Sequence, residues 1–205
     1  MRKLIFVLFV LSSCSSRLPT IVSGQKVVER RYFEVQGGEN ILRSTSTATL
    51  ALWIRPKGEF TTTQDLFNIS VGGPIGNDIK SRAGFRIIAG GAFQSVARAD
   101  DSDEASNVTT SEGLAQKNIW QHLALTIDYQ EKKQEFFVNG KRVSALGKHV
   151  FSRSSTSDTP SLRISLGAED DGSAAFFSGD LTGAFVENKI LTEEEIQVVM
   201  KKTRP

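Results

Sequence analysis

Short apolar runs rich in Phe, Ile, Val and Leu alternate with Gly-, Ser- and Thr-rich punctuation along most of this chain. That is the pattern of half-buried β-strands joined by turns. Strands are predicted over Arg31–Gln36, Ala48–Arg55, Asp65–Val71, Gly84–Ala89, Ala92–Ala99, Trp120–Tyr129, Gln134–Val138, Lys141–Ala145, Leu162–Gly167 and Asp180–Val186. Between Val138 and Lys141, the pair Asn139-Gly140 tolerates the positive φ that a two-residue type I′ turn requires, so a tight hairpin is expected there. Asp170-Asp171-Gly172 is a second predicted turn. One stretch alone has a helical period: Thr192 as N-cap, three glutamates in the first turn, Ile196, Val199 and Met200 on one side, and Lys201 and Lys202 at the end. Acid at the start and base at the finish match the helix dipole.

The N-terminus follows a different pattern. Arg2 and Lys3 precede an unbroken apolar run, Leu4 to Leu11, which is too short for a permanent membrane span and reads as an export signal. The run ends in Leu11-Ser12-Ser13-Cys14, and Cys14 is the single cysteine of the chain. These four residues resemble the bacterial lipobox, which implies diacylglycerol on the Cys14 thiol, cleavage just before it, and acylation of the new amino group. Several acyl chains make a stable anchor where one holds only marginally. Residues 1–13 are therefore expected to be signal peptide, 14–22 the lipidated cysteine with a polar tether, and 23–205 one domain. Ser15, rather than aspartate, after the cysteine favours the outer membrane in a cell with two membranes, and the expected localisation is the bacterial cell envelope.

About 180 residues then remain, enough for one β-sandwich or barrel core. With Arg2 and Lys3 removed the 25 basic residues fall to 23, matching the 23 acidic ones. A neutral chain with interspersed charge argues against a nucleic-acid partner.

Read in order, the strands resemble a known family. Ala48-Thr49-Leu50-Ala51-Leu52-Trp53-Ile54-Arg55-Pro56 is similar to the Trp-bearing strand of laminin-G-like, concanavalin A-like jelly rolls. Ile119-Trp120-Gln121-His122-Leu123-Ala124-Leu125-Thr126-Ile127-Asp128 is similar to that family's Trp/His strand, and Val138-Asn139-Gly140-Lys141 to its following hairpin. Leu162–Gly167, Ser178–Leu181 and Asn188–Ile196 are similar to its closing strand and helix. The resemblance implies an all-β, two-sheet antiparallel jelly-roll sandwich with a short C-terminal helix. One departure stands out: where the family usually carries an acidic pair in the closing strand, this chain has Leu181-Thr182-Gly183-Ala184.

The chemistry points to binding rather than turnover. Hydrolases on this scaffold resemble one another in an E-x-D-x-E strand, which sets carboxylates on one face, and no such alternation occurs here. Asp101-Ser102-Asp103 has the spacing but sits in a polar loop. Neither His122 nor His149 accompanies a nucleophile motif such as G-x-S-x-G. His122, on one face with Trp120 and Ala124, is expected to be a packed, hydrogen-bonded structural residue, and Trp53 a core anchor. A calcium ion, if bound, would be held by Asp100, Asp101, Asp103 and Glu104 or by Glu169, Asp170 and Asp171. Candidate ligand-binding residues are Arg86, Arg98 and Asp101. The expected function is a membrane-anchored, non-catalytic binding module for a glycan or protein. A structural subunit of an envelope complex is the alternative, and a glycoside hydrolase-like enzyme is third.

Overall fold

β3 (Thr47–Pro56) shows how the alternation becomes architecture. Leu50, Leu52 and Ile54 point into the main core, while Thr49, Ala51, Trp53 and Arg55 occupy the opposite face. The computed structural model describes residues 20–22, 33–34, 47–71, 80–97, 107–147, 162–168 and 175–205. Within them the other strands are β1 (Thr20–Val22), β2 (Phe33–Glu34), β4 (Gln64–Val71), β5 (Lys80–Ile87), β6 (Phe93–Ala97), β7 (Val108–Thr110) and β8 (Gln121–Asp128). β9 (Lys133–Val138), β10 (Lys141–Val143), β11 (Ala145–Gly147), β12 (Leu162–Leu166), β13 (Gly179–Glu187) and the helix α1 (Glu193–Lys202) complete the order.

The described strands form two antiparallel sheets, six-stranded β1-β13-β3-β8-β9-β10 and seven-stranded β11-β7-β6-β5-β4-β12-β2. Their facing sides bury one core. Phe67 and Phe85 meet edge-on with ring centroids 5.8 Å apart, and Phe85 meets Phe136 across the sandwich at 6.3 Å. The outer face of the six-stranded sheet has a second, smaller core, in which Ile196 and Val199 of α1 cover Ala51, Ala124, Phe137, Phe185 and Leu191. α1 begins as predicted, with Thr192 and Glu195 forming a reciprocal capping box. The Asn139-Gly140 hairpin also forms, with φ of 52° and 74°. The predicted turn at Asp170-Asp171-Gly172 lies outside the described residues.

Several boundaries differ from expectation. Thr20–Val22, expected to belong to the tether, pairs instead with β13, Thr20 opposite Val186 and Val22 opposite Ala184. Three residues of high β-propensity meet an otherwise open sheet edge, and the backbone pairing decides. The predicted strand Lys141–Ala145 divides at Ser144: β10 stays with β9, and β11 crosses to pair with β7 in the other sheet. β7 itself has no counterpart among the predicted strands, since three residues give no usable period. The strand expected at Gly84–Ala89 starts earlier, at Lys80, and stops at Ile87, because Gly90 and Gly91 turn the chain at positive φ.

At the place of the family's acidic pair, the structure accounts for Gly183. Thr182 to Phe185 is a bulge in the pairing with β3, and Gly183 sits there at φ 61°. A Cβ on Gly183 would lie 2.8 Å from both Cβ and the backbone oxygen of Thr203, so the end of α1 fills the space a side chain would need. Gly183→Ala is expected to lower stability by about 2 kcal/mol and to loosen the end of α1. Urea unfolding and amide exchange over residues 199–203 check both effects.

Candidate functional site

The outer face of the seven-stranded sheet is polar where the six-stranded one is covered. Alternation sends Ala83, Phe85 and Ile87 of β5 inward, which leaves Arg86 facing out. Register then lines up a single row across five strands: Asp65 opposite Arg86, Arg86 opposite Gln94, Gln94 opposite Thr109, Thr109 opposite Leu146. At about 4.8 Å per strand the row is roughly 19 Å long.

Side-chain hydrogen bonds fix its centre. Arg86 donates from Nε (2.9 Å) and Nη2 (2.7 Å) to Oε1 of Gln94, and Gln94 Nε2 donates to Oγ1 of Thr109 at 3.0 Å. Gln94 thus has both ends of its amide committed and holds the guanidinium in one orientation. Arg86 is half-buried, and its remaining N–H donors suit a planar anion. Leu146, at the far end of the row, is 84% exposed.

The other end of the row adjoins a depression of about 360 Å³, lined among others by Glu59, Thr61, Thr62, Gln64, Phe176 and Ser178. The segment carrying Phe176 is pinned on both sides. Ala175 C=O accepts from Asp65 N–H at 2.8 Å, Phe177 N–H donates to Gly167 C=O at 2.8 Å, and Ser178 N–H donates to Gln64 Oε1 at 3.0 Å. Gln64 Nε2 donates in turn to Glu59 C=O at 2.8 Å. Ala175 holds φ 50°, the left-handed region, which a non-glycine residue occupies only when its surroundings impose it. The result is a division of labour between neighbours: Phe177 is buried, while Phe176 keeps 37% of its surface open beside the Thr61 and Thr62 hydroxyls.

Elsewhere among the described residues, charged and aromatic groups pair or pack with one another. Asp180 is buried, which pushes its carboxyl up, but hydrogen bonds and charge from Lys57 and Arg55 outweigh burial and hold it below the usual carboxylate range. Arg55 also lies over the Trp120 ring, 5.0 Å from its centroid. Trp53 is buried as expected, though under α1 rather than between the sheets, and its Nε1–H donates to Met200 C=O at 3.2 Å. His122 departs from expectation. It is fully buried against Trp53 (ring centroids 5.3 Å), yet neither ring nitrogen has a hydrogen-bond partner among the described residues. Its backbone is fully used by Asn139, which accepts from His122 N–H through Oδ1 and donates its own N–H to His122 C=O. The tight hairpin holds the strand in place, and among the described residues no polar side chain reaches the imidazole. Burial lowers its pKa from 6.5 to about 4.

Of the residues singled out in the sequence, the structure places Arg86 at the centre of the row. Arg98, Asp100, Asp101, Asp103, Glu104, Glu169, Asp170, Asp171, His149 and Cys14 lie outside the described residues. Among the described residues no group of three His, Cys, Asp or Glu side chains is placed to hold a metal, and no helix is long and apolar enough to cross a membrane. Gln94, Thr109, Gln64 and Phe176 were missed. Gln94 and Thr109 had a weak signal, as polar residues within apolar runs, but only register shows that they stand beside Arg86.

The family model of the concanavalin A-like lectin/glucanases superfamily matches residues 30–197. The chain belongs to this superfamily. Among solved structures, the CBM40 domain of the Ruminococcus gnavus IT-sialidase, solved with α2,3-sialyllactose, is similar at 19% identity and a TM-score of 0.68, covering 89% of this chain and 97% of that one. The leech intramolecular trans-sialidase is similar at 19% identity and a TM-score of 0.69, over 88% of this chain and 27% of the larger enzyme. The NanB sialidase of Streptococcus pneumoniae is similar at 16% identity and a TM-score of 0.64, over 85% and 27%. These likenesses are of fold, and the chain spans about a quarter of the two sialidases. Comparison with curated protein sequences finds no match.

Proposed function

We propose that this protein is a non-catalytic glycan-binding module of the bacterial envelope, fastened by acyl groups on Cys14, and that its ligand is an acidic glycan. The supporting observation is the guanidinium of Arg86, oriented by Gln94 in an outward polar row that ends beside the depression under Phe176. A sugar carboxylate is the planar anion that such a fork takes in two parallel hydrogen bonds, and the Phe176 ring offers a neighbouring pyranose an apolar face. The structurally similar CBM40 domain was solved with both α2,3- and α2,6-sialyllactose, which makes sialylated glycans the first ligands to try. The lipobox, with Ser15 following the cysteine, supports attachment at the outer membrane.

Calorimetric titration with 3′-sialyllactose, 6′-sialyllactose and lactose tests the ligand class. Binding of a sialyllactose at least about ten-fold tighter than lactose is expected, a difference of about 1.4 kcal/mol. No heat from either sialyllactose at millimolar concentration would overturn the reading. A second reading, an assembly subunit that binds protein, has one observation in its favour: Leu146 stands 84% exposed on β11, the edge strand of its sheet.

A further inference from the structure

Cys14 and β1 are separated by five residues, Ser15 to Pro19. At about 3.4 Å per residue the anchor lies within roughly 20 Å of Thr20. Because β1 runs antiparallel to β13, the chain comes in at the pole of the sandwich where β13 finishes. The same pole carries the connection from Asn188 to Thr192 and the turn between β8 and β9, since Thr47 at the start of β3 stands opposite Asp128. The depression under Phe176 is at the other pole, beyond the far end of β3. Ten residues of strand put about 33 Å between them.

The chemistry of the anchored pole is suited to a lipid surface. Ile190 is 40% exposed beside Lys189, and Lys132 and Lys133 are exposed at the turn. Aliphatic surface interleaved with lysine stems and ammonium heads is what an interfacial contact needs. Acids share this pole: Asp128 Oδ1 accepts the N–H groups of Gln130 and Glu131, Glu131 itself is exposed at the turn, Lys133 pairs with Glu135 at 2.9 Å, and Lys189 lies 3.0 Å from Glu195 and 3.8 Å from Glu187, so the short tether and the exposed Ile190, not net charge, direct this pole to the bilayer.

We propose that the pole formed by Ile190, Lys189 and the β8–β9 turn is a docking surface for the bilayer that carries the acyl chains, so that the Phe176 depression is held outward. The proposal rests on acylation of Cys14. A tether of this length gives an elongated body little room to invert, which makes the orientation a consequence of where β1 joins the sheet.

The test uses the full-length acylated protein in vesicles of phosphatidylcholine and phosphatidylglycerol that contain a headgroup-attached quencher. Because Cys14 is the single cysteine and is acylated, Gln130→Cys and Thr61→Cys each supply one labelling site for a fluorophore. Several-fold stronger quenching at position 130 than at position 61 is expected. Equal quenching, or stronger quenching at 61, in vesicles that carry the protein would overturn the docking surface while leaving the anchor intact. Wild-type protein that lacks fatty acid by mass spectrometry and does not float with the vesicles would overturn the anchor, and the docking surface with it.

Discussion

Lowering the pH from 7 to 4 is expected to cost this domain about 3 kcal/mol of stability through one residue, His122. In the unfolded chain its imidazole titrates near 6.5, while burial beneath the end of α1 lowers the folded value to about 4. The folded state therefore binds fewer protons than the unfolded one throughout that interval. Stability is full above pH 6.5, falls as pH drops toward 4, and levels off below, each ten-fold loss of proton affinity being worth about 1.4 kcal/mol. No donor or acceptor near the ring offsets the charge, since both nitrogens lack partners among the described residues. The acids with lowered pKa contribute in a different window. For Glu135, burial raises the pKa, but Lys133 and Arg142 outweigh it. For Glu195, the Thr192 N–H and then Lys189 lower it, and Asp180 follows the pattern already described. Glu194 joins them, lowered by its own backbone N–H and then by Thr192, and all four give stability that is lost only as pH falls below the ordinary carboxylate range. Urea unfolding at pH 7, 5.5 and 4 should show the decline in wild type, and His122→Phe, which keeps a ring against Trp53, should abolish most of it between pH 6.5 and 4. A parallel decline in both proteins would remove His122 as its cause.

Two adjacent residues of β5 should separate folding from binding. Phe85 is fully buried with aromatic partners on both sides, Phe67 in its own sheet and Phe136 in the other. Phe85→Ala leaves a cavity at the centre of the sandwich, where neither sheet can close without repacking the other, and is expected to cost about 4 kcal/mol. Arg86, one residue on, points away from that core and makes two hydrogen bonds to Gln94. Arg86→Ala removes those two bonds and a cation in register with the buried Asp65, and is expected to cost about 1 kcal/mol, well below the Phe85→Ala loss. It should weaken binding of an acidic glycan by about 2 kcal/mol, roughly thirty-fold, because the charge partner of the carboxylate is gone. Chemical denaturation and sialyllactose titration of both variants give the comparison. An Arg86→Ala protein that binds as wild type would move the site off this face.

The sequence was a good guide wherever the information is local. Alternation in β3 and β8 put the right side chains in the core, and Thr192 with Glu195 began the helix where the capping pattern said. Asn139-Gly140 made its turn because both residues accept positive φ at little cost. Short elements such as β1, β7 and β11 exist because a sheet edge offers hydrogen bonds to whatever backbone arrives, and three residues carry no period that announces this.

The site is where local information ran out. Arg86 could be named as a polar residue on a strand, but its meaning comes from Gln94 and Thr109, which are drawn into one row by strand register. Phe176 and Phe177 are indistinguishable as adjacent aromatics in sequence. Only hydrogen bonds from the N–H groups of Asp65, Ser178 and Phe177 to separate parts of the chain decide which ring is buried and which is shown to solvent. The residues alone determined the class of fold, the core-facing positions and the capped start of α1, because strand period, turn preference and a capping pattern are properties of neighbours along the chain. The tertiary structure decided the outward row around Arg86, the isolation of His122 and the sheet edge that β1 joins, because each depends on which distant strands lie side by side.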